Sequence, residues 1–423
     1  MAIDSDYVQQ MSTQLATYEV QSSLDRLNRN ETRYKSQRDA LSSLRTSLTT
    51  FKSAITKLNS RTSSMLTNSA TFSQEGFATA TVGTTATAGT YDFFVERLAS
   101  KQQVAVQGLV DGSLSGTLTL NAQAFDLSSY ATLDDAAKAI NAAGLGAQAT
   151  LVRSNGAVNL VVSSEKSGAA NGFTLGIAGN AAATTTTLST AQDALIRLGG
   201  SYGAGGIELT SASNTFTDVI DGVSMTVSKV HAAGDSPLTV TVGQDKAGTK
   251  AKAQSFIDAF NSLMTSFDSL TASGSDSSAR GALAGDSSVR SIESRLNGLL
   301  RTDFGGKSLI EFGISADRNG KLSIDATRFE AAVANDPEGF EALFTGKDNL
   351  LDSIDKTVAS YTSSTNGMLK NRMDTLDTSL RRIDEQFDNL QQQYDTHYSR
   401  YLKQFTSMMQ TMQSMEQTYG LFG

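Results

Sequence analysis

The sequence predicts a multidomain α+β protein in which terminal coiled-coil or bundle helices enclose inserted antiparallel β-rich domains. Near both ends of the chain, apolar residues recur at helical spacing. The middle instead contains short strand-like runs that are separated by turn residues. A chain of 423 residues is also long enough for about two to four domains, each with its own core.

The N-terminal helix is predicted from Val20 onward by a stripe of apolar residues, most of them three or four positions apart. The stripe comprises Leu24, Leu27, Tyr34, Leu41, Leu44, Leu48, Phe51, Ile55, Leu58 and Met65. Glu31 and Arg38 interrupt it, so we expect a weaker coiled coil than an uninterrupted heptad repeat would form.

The β-rich region begins with GTYDFFVERLASKQQVAVQG, which predicts two strands. Hairpins are predicted in GTLTLNAQAFDLSS, in AQATLVRSNGAVNLVVSS with a turn at Asn155-Gly156, and in NTFTDVIDGVSMTVSKV with a turn at Asp221-Gly222. LDDAAKAINAAG predicts a short helix, and SPLTVTVGQD predicts another strand. The low-complexity stretch GIAGNAAATTTTLSTAQDA is predicted to be a surface loop or linker.

Helices return in KAKAQSFIDAFNSLMTSFDSL and SVRSIESRLNGLL, followed by a hairpin that turns at Asn319-Gly320. A long final helix is predicted from Met368, with an apolar stripe of Leu369, Met373, Leu376, Leu380, Ile383, Phe387, Leu390, Tyr394, Tyr398, Tyr401, Phe405, Met408, Met412, Met415, Tyr419 and Phe422. The extra four-residue step from Tyr394 to Tyr398 is a stutter, which locally unwinds a left-handed supercoil. Such a long helix cannot bury its stripe against itself.

These elements divide the chain into four predicted regions, two helical and two β-rich. Their ranges are 1–40 with 376–423 for the terminal coiled-coil (leg) segments, 41–75 with 246–375 for a helical bundle, 76–107 with 193–245 for a β-rich head domain, and 108–192 for a second, inserted head domain. Because the β-rich ranges lie between two helical ends, the terminal helices are expected to meet in space.

Charge and composition exclude several classes of function. The net charge is −8 and no run of Lys and Arg is present, so we expect no binding to nucleic acid. No apolar run approaches the roughly 18–20 residues of a membrane span, so we expect no membrane insertion. Cysteine is absent, which excludes disulfides and thiolate ligands. The N-terminus shows no cleavable secretion signal, so any export is expected to use another apparatus.

No residue pattern predicts a catalytic, metal or cofactor site. The Gly306–Ser308 run lacks the first P-loop glycine, and the glycines of Gly199–Gly206 lack the dinucleotide register, which favours a polar loop between strands. In DRNGKLSID, Leu322 stands where a calcium-binding EF-hand needs glycine. His231 and His397 are too far apart in sequence to predict a metal site. The chain is therefore predicted not to be an enzyme and to need no cofactor.

Ordered motifs along the chain carry a resemblance to a known family. The most specific are SASNTFTDVIDGVSMTVSK and QSFIDAFNSLM, preceded by LDDAAKAINAAGLGAQATLV and followed by LIEFGISADRNGKLSID, NDPEGFEALF and QFTSMM. Together they resemble the flagellar filament cap family, also called FliD or hook-associated protein 2, over essentially the whole chain. Many members begin with a Gly-rich stretch, whereas Ile3-Asp4-Ser5-Asp6 follows the start here.

The resemblance implies a structural assembly protein outside the cell, at the distal tip of the bacterial flagellum. Members form a ring-shaped homo-oligomer that retains exported flagellin and promotes its folding and insertion into the filament. The resemblance also implies export by the flagellar type III apparatus, contact with hook-filament junction proteins, and an export chaperone at the C-terminal helix. The absence of cysteine and the presence of only two prolines suit passage of an unfolded chain.

The apolar stripes at the two ends are predicted to have two roles. The intramolecular helix core is expected to contain Leu41, Leu44, Leu48, Phe51, Ile55, Leu376, Leu380, Ile383, Phe387 and Leu390. The interface with other subunits or the filament is expected to contain Leu24, Leu27, Tyr394, Tyr398, Tyr401, Phe405, Met408, Met412, Met415 and Tyr419. From Tyr398 onward the helix is expected to outrun any partner within the chain, and flexible methionines suit a surface that repacks against changing partners.

Two alternatives stay open at this point. A hook-filament junction component is disfavoured, because that family lacks the NTFTDVIDGV and FIDAFN pair. A surface adhesin, whose β-rich domains bind host mucin or glycans, is neither supported nor excluded by the sequence.

Overall fold

The computed structural model describes residues 5–60, 64–154, 156–275 and 279–420. Its helices are α1 (Ser5–Leu58), α2 (Leu133–Ala142), α3 (Lys246–Thr271), α4 (Ser287–Leu299), α5 (Ala326–Asn335), α6 (Pro337–Phe344), α7 (Leu350–Thr362) and α8 (Met368–Gly420). Its strands are β1 (Asn68–Phe72), β2 (Ala78–Val82), β3 (Gly89–Arg97), β4 (Gln103–Gln107), β5 (Thr117–Leu120), β6 (Gln123–Asp126), β7 (Ala147–Ser154), β8 (Ala157–Ser164), β9 (Leu175–Ala178), β10 (Thr184–Ser189), β11 (Ala194–Leu198), β12 (Ile207–Ser211), β13 (Thr215–Ile220), β14 (Val223–Val227), β15 (Leu238–Gln244), β16 (Ile314–Ala316) and β17 (Leu322–Ile324). The predicted α+β class, with helical ends around antiparallel sheets, is confirmed.

The chain divides into two compact units. A helical unit combines residues 1–65 with 249–423, and a β-rich unit comprises 66–248. Strand β1 falls inside the range 41–75 that the sequence assigned to the helical bundle, but it pairs with β15 in a sheet of the β-rich unit.

The helical unit is built around buried phenylalanines. Phe256, Phe260 and Phe267 lie on one face of α3 and are fully buried. The ring of Phe260 meets Phe51 of α1 edge-on at a centroid distance of 5.8 Å, and Phe256 meets Phe344 of α6 at 5.5 Å. Burying such a side chain contributes about 1.5–3 kcal/mol, so these contacts hold α1, α3 and α6 around one core.

An ion pair ties α8 to the start of α4. Asp286 is the N-cap of α4, and its carboxylate accepts hydrogen bonds from the N–H groups of Ser288 and Val289. The guanidinium of Arg372 on α8 donates two further bonds to this carboxylate, one of them at 2.8 Å. These bonds from Arg372 are the main cause of the lowered pKa of Asp286. One carboxylate therefore both begins α4 and positions it against α8.

Helices α5, α6 and α7 are not predicted from the sequence, although two of them begin with recognisable caps. Asp325 and Asp336 each accept a backbone N–H from the first turn, and Pro337 occupies the first turn of α6. These helices are only 10, 8 and 13 residues long, and α6 follows α5 after a single residue. Short helices show only two or three turns of apolar spacing, which weakens the periodic signal.

The β-rich unit contains two cores, of which the first lies between two antiparallel sheets. One sheet has the strand order β1-β15-β3-β11-β12 and the other β13-β14-β2. Buried residues from both sheets form a single cluster that includes Phe93, Val95, Val240, Phe216 and Met225. Along β14 and β15, every second side chain is buried and points into this core, while those between are more exposed.

The second core belongs to the inserted segment between β4 and β10. It lies among a sheet of order β10-β4-β8-β7, a sheet of order β6-β5-β9, and helix α2. Thr132 caps α2 by accepting the N–H of Asp135, while its hydroxyl donates to that carboxylate at 2.7 Å. The hairpins β5-β6, β7-β8 and β13-β14 form as predicted. The predicted turn residue Asn155 lies outside the described residues, and Gly156 after it has a φ of +81°.

The prediction of a loop for the threonine-rich stretch was wrong. Thr184 to Ser189 form β10, which pairs antiparallel with β4. Threonine is branched at Cβ and fits the extended backbone of a strand, so low complexity did not prevent strand formation here.

The glycine-rich run between β11 and β12 is a compact loop, in agreement with its interpretation as a polar loop. Arg197 is buried beneath it and donates hydrogen bonds to Glu96, Glu208 and the carbonyl oxygen of Gly205. The N–H of Gly203 in turn donates to Glu96 at 2.9 Å. Gly203 and Gly205 have φ values of +73° and +69°, a conformation that glycine adopts readily, and this lets the loop fold over the charged network.

His231 is bound to strand β3 through both its backbone and its ring. Its N–H donates to the carbonyl oxygen of Val95 at 2.8 Å, and its Nδ1 accepts the N–H of Val95 at 2.9 Å. The ring packs on Phe77 and Phe94 with centroid distances of 4.5 and 5.6 Å. Burial lowers the pKa of His231, because the imidazolium would lose its hydration.

This environment predicts that acid loosens β3. Asp235 raises the pKa of His231 and Lys229 lowers it, but burial is the largest effect. Because the folded pKa is depressed, the unfolded chain takes up the proton first as the pH falls below about 6.5. The stability contributed here is therefore full above about pH 6.5 and declines as the pH drops towards the folded pKa.

Hydrogen exchange of β3 amides, corrected for the intrinsic rate, measures this change between about pH 5 and 7.5. The wild-type protein is expected to lose protection in β3 as the pH falls, whereas His231→Gln is expected to show a flatter profile whatever its absolute stability. The same pH dependence in both proteins would contradict this role for His231.

Candidate functional site

The first and last helices are paired along nearly their whole lengths. Arg38 of α1 binds Asp377 of α8, whereas Glu19, nearer the start of α1, binds Tyr401, nearer the end of α8. This opposite order makes the pair antiparallel. The expectation that α8 outruns any partner within the chain was wrong, because α1 begins at Ser5 rather than near Val20.

The pair begins inside the core of the helical unit. On α1, Leu41, Leu44, Leu48, Phe51 and Ile55 are buried. On α8, Ile383 and Leu390 are buried, while Leu376, Leu380 and Phe387 are half-buried. Helix α7 also contacts this half of α1, since Arg45 donates to the carbonyl oxygen of Thr362 and Lys52 lies 3.2 Å from Asp355. This end of the pair therefore has neighbours on several sides.

A smaller apolar cluster holds the middle of the pair. Leu24 and Leu27, predicted above as interface residues, lie against Phe387, Leu390 and Tyr394 of the same chain. The cluster does not close completely, because a groove of about 440 Å³ runs along it, lined by Thr17, Val20, Leu24, Phe387, Asp388, Leu390, Gln391 and Tyr394. The two helices thus leave apolar surface accessible on one side.

The far end of the pair places small residues of α1 against large residues of α8. Val8, Ser12, Ala16 and Val20 repeat every four residues and are buried. At about 1.5 Å per residue, the pairing of Glu19 with Tyr401 brings residues 8–16 level with about residues 404–412 of α8. The methionine-rich stripe of α8 therefore lies level with the small residues of α1, where Phe405 and Met409 are the half-buried large side chains of α8.

That stripe remains partly uncovered itself. Met408, Met412 and Met415 are 41%, 46% and 55% exposed, and Tyr419 is 78% exposed. Tyr398, Tyr401 and Phe405 are half-buried. The uncovered fraction rises towards the end of α8, so the far end of the pair presents a continuous strip of flexible apolar surface.

A polar cluster lies between the middle and the far end. The hydroxyl of Tyr401 donates to Glu19 at 2.7 Å, and Arg400 lies 3.5 Å from the same carboxylate. The hydrogen bond from Tyr401 is the main cause of the lowered pKa of Glu19, with smaller contributions from His397 and Arg400. The rings of Tyr394 and Tyr398, on either side of the stutter, stack with centroids 6.3 Å apart.

Three residues of this site were missed in the sequence. Val8, Ser12 and Ala16 have small side chains, so the large apolar residues that mark a helical stripe are absent before Val20. Their spacing of four residues is a helical signal, and burial of such small side chains requires close approach of the partner helix. The pairing of Glu19 with Tyr401 had no signal in the sequence, because it depends on the register between distant segments.

Metal clusters and membrane-spanning helices were the two remaining possibilities for the described part of the chain. Over residues 5–60, 64–154, 156–275 and 279–420, no group of three metal-ligating side chains is brought together. In the same ranges, no helix combines the length and apolar character that crossing a bilayer requires. What the paired helices provide is a long, mostly apolar contact surface.

Known protein families match both helical ends of the chain and the strands next to them. Residues 7–102 match the family described as "Flagellar hook-associated protein 2 N-terminus", and residues 191–417 match "Flagellar hook-associated protein 2 C-terminus". The chain is 36% identical over 345 residues to the lateral flagellar hook-associated protein 2 of Vibrio parahaemolyticus, which covers 75% of this chain and 77% of that protein. It is 31% identical over 382 residues to the B-type flagellar hook-associated protein 2 of Pseudomonas aeruginosa, with 82% and 80% covered.

A solved structure shares the arrangement. The crystal structure of the D1-D2-D3 domains of the flagellar cap protein FliD from Escherichia coli aligns with a TM-score of 0.63 at 26% identity. The alignment covers 80% of this chain and 99% of that one. Together with the two family matches, which account for most of the sequence, this establishes the relationship that the motifs predict: the chain belongs to the flagellar hook-associated protein 2 (FliD) family.

Proposed function

We propose that this protein caps the distal tip of the bacterial flagellar filament, where it retains exported flagellin and promotes its folding and insertion. The observation that carries this proposal is the alignment with a flagellar cap protein over 80% of the chain. The relatives named above are hook-associated proteins of flagella, which supports the same role. These similarities do not favour a junction component or a mucin-binding adhesin, the two alternatives that the sequence left open.

The paired helices α1 and α8 are the part that we assign to assembly. Their far end has the features of a contact surface: partly exposed methionines and tyrosines, few charges on the stripe, and no covering element among the described residues. Methionine and tyrosine are enriched in protein interfaces, where a flexible or amphipathic side chain gains contact area. The partners are neighbouring copies in a ring-shaped homo-oligomer and subunits of the filament.

Other partners follow from the same role. The chain is exported by the flagellar type III apparatus, with a chaperone on the C-terminal half of α8 before assembly. After export it first contacts the hook-filament junction proteins and then flagellin. In this scheme the methionine-rich stripe serves successive partners, and the protein has no enzymatic task.

Deletion of the gene tests the proposed role. A deletion strain is expected to lack full-length filaments in electron micrographs and to release flagellin monomer into the medium, and a plasmid copy is expected to restore filaments. Normal filaments in the deletion strain would rule out the cap role. Filaments that form but detach at the hook would instead favour a junction component.

A charge in the stripe is expected to weaken assembly without unfolding the protein. Met412 is 46% exposed, so Met412→Asp places its carboxylate in water in the free subunit but buries it in an interface. Burying an unpaired charge costs several kcal/mol, so the oligomer should dissociate at concentrations at least about tenfold higher than for the wild type. Phe405→Asp is expected to act in the same direction.

Sedimentation velocity measures the oligomer, circular dichroism checks the helices, and complementation of the deletion strain measures capping. The matched control is Gln413→Asp, which adds the same charge at an exposed polar position next to Met412. Wild-type assembly and capping by Met412→Asp and Phe405→Asp would disprove the intermolecular role of the stripe.

A further inference from the structure

Strand β10 is an edge strand whose outer side is free. It is the first strand in the sheet order β10-β4-β8-β7, and it pairs only with β4 among the strands that the structure describes. The backbone N–H and C=O groups on its other side therefore have no strand partner. Such an edge is a template on which another strand can be added.

The edge is also uncovered on both faces. Thr185 and Thr187 lie directly opposite Val106 and Val104, so their side chains point to the same face of the sheet as those valines. The two valines are buried in the core, but every residue from Thr184 to Leu188 is exposed. The core therefore ends beneath β4, and β10 extends beyond it into solvent.

The segment that contains this edge has no charge. From Ser167 to Gln192 the sequence has no Asp, Glu, Lys, Arg or His. Other edge strands of the unit carry charges of the kind that discourages pairing: Arg153 in β7, Glu208 in β12, Asp218 in β13 and Asp126 in β6. Strand β9 is uncharged but only four residues long and lies near β10, from which a short loop separates it, and β1 and β2 lie against each other. Edge β10 therefore stands out as long, exposed and unprotected.

We propose that β10 is a homotypic docking edge, which pairs antiparallel with β10 of a second copy about a two-fold axis. Each chain has a net charge of −8, so two copies repel, and an uncharged segment is where they can approach at least electrostatic cost. The backbone groups of one strand are self-complementary in an antiparallel pair, and two-fold contacts are the commonest in homo-oligomers. Pairing joins two four-stranded sheets into one continuous sheet.

This contact differs from the one assigned to the helices. A ring of more than two subunits is held by contacts between unlike surfaces, whereas β10 would meet its own copy. The inference does not rest on the proposed function. A six-residue strand is about 20 Å long and buries less than a standard interface of about 1,200–2,000 Å², so the pairing should be weak and should disappear on dilution.

Cysteine cross-linking tests the proposal directly, because the chain has no cysteine of its own. Full-length Thr186→Cys is treated with a short thiol-specific cross-linker whose reach tolerates a small shift in strand register. We expect a covalent dimer at high protein concentration that is lost on dilution. Thr210→Cys, exposed on the glutamate-bearing edge strand β12, is the matched control and should give little covalent dimer under the same conditions.

A second variant separates pairing from chance collision. Adding Thr187→Lys to Thr186→Cys places like charges across the two-fold contact, at a residue whose side chain lies outside the core. The cross-linked dimer is expected to be lost, with the circular dichroism spectrum unchanged. A dimer yield from Thr186→Cys no higher than from Thr210→Cys would overturn the proposal, and so would a yield that the added lysine leaves unchanged. Neither outcome bears on capping, because no flagellum is needed for the assay.

Discussion

The antiparallel pairing of α1 with α8 is the constraint on which the rest of the molecule depends. It brings together the two ends of the chain, from Ser5 to Gly420, and so closes one very long loop. The entropy lost on closing a loop rises only with the logarithm of its length, so a large β-rich unit can be inserted between the helices at little extra cost. Burial along the paired helices and around the phenylalanines of α3 offsets that loss. The inserted unit can then fold on its own cores.

Helix α8 becomes less covered from its start to its end. Leu369 and Ile383 are buried, Phe387 lies beside an open groove, and Met415 is more than half exposed. Helices gain most of their stability from tertiary contacts on their apolar faces. Local opening should therefore require least free energy at the methionine-rich end. A surface that must accept different partners in turn is best placed where the chain itself holds the helices least firmly.

Most of the architecture was predictable because its signals are local. The stripe of α8, the hairpin turns and the helical face of α3 each lie within one continuous segment. The predictions that failed were of two kinds. Before Val20 the seam consists of small side chains, and the threonines of β10 occur in a low-complexity stretch, so hydrophobic periodicity was uninformative for both. The register that places Tyr401 on Glu19, and the edge position of β10, depend on contacts between distant segments that no single segment encodes.

Polar contacts favour one register between α1 and α8, which the apolar seam alone does not distinguish. Methionines facing small residues pack almost equally well after a shift of one turn, because neither surface has a distinctive shape. Arg38 with Asp377, and Glu19 with Tyr401, are satisfied only in one register. The first is a partly exposed ion pair, which typically contributes only about 0–1 kcal/mol to stability, and the second is a hydrogen bond to a carboxylate. Because any shifted register loses both contacts at once, together they favour one alignment of the seam more strongly than either contact does alone.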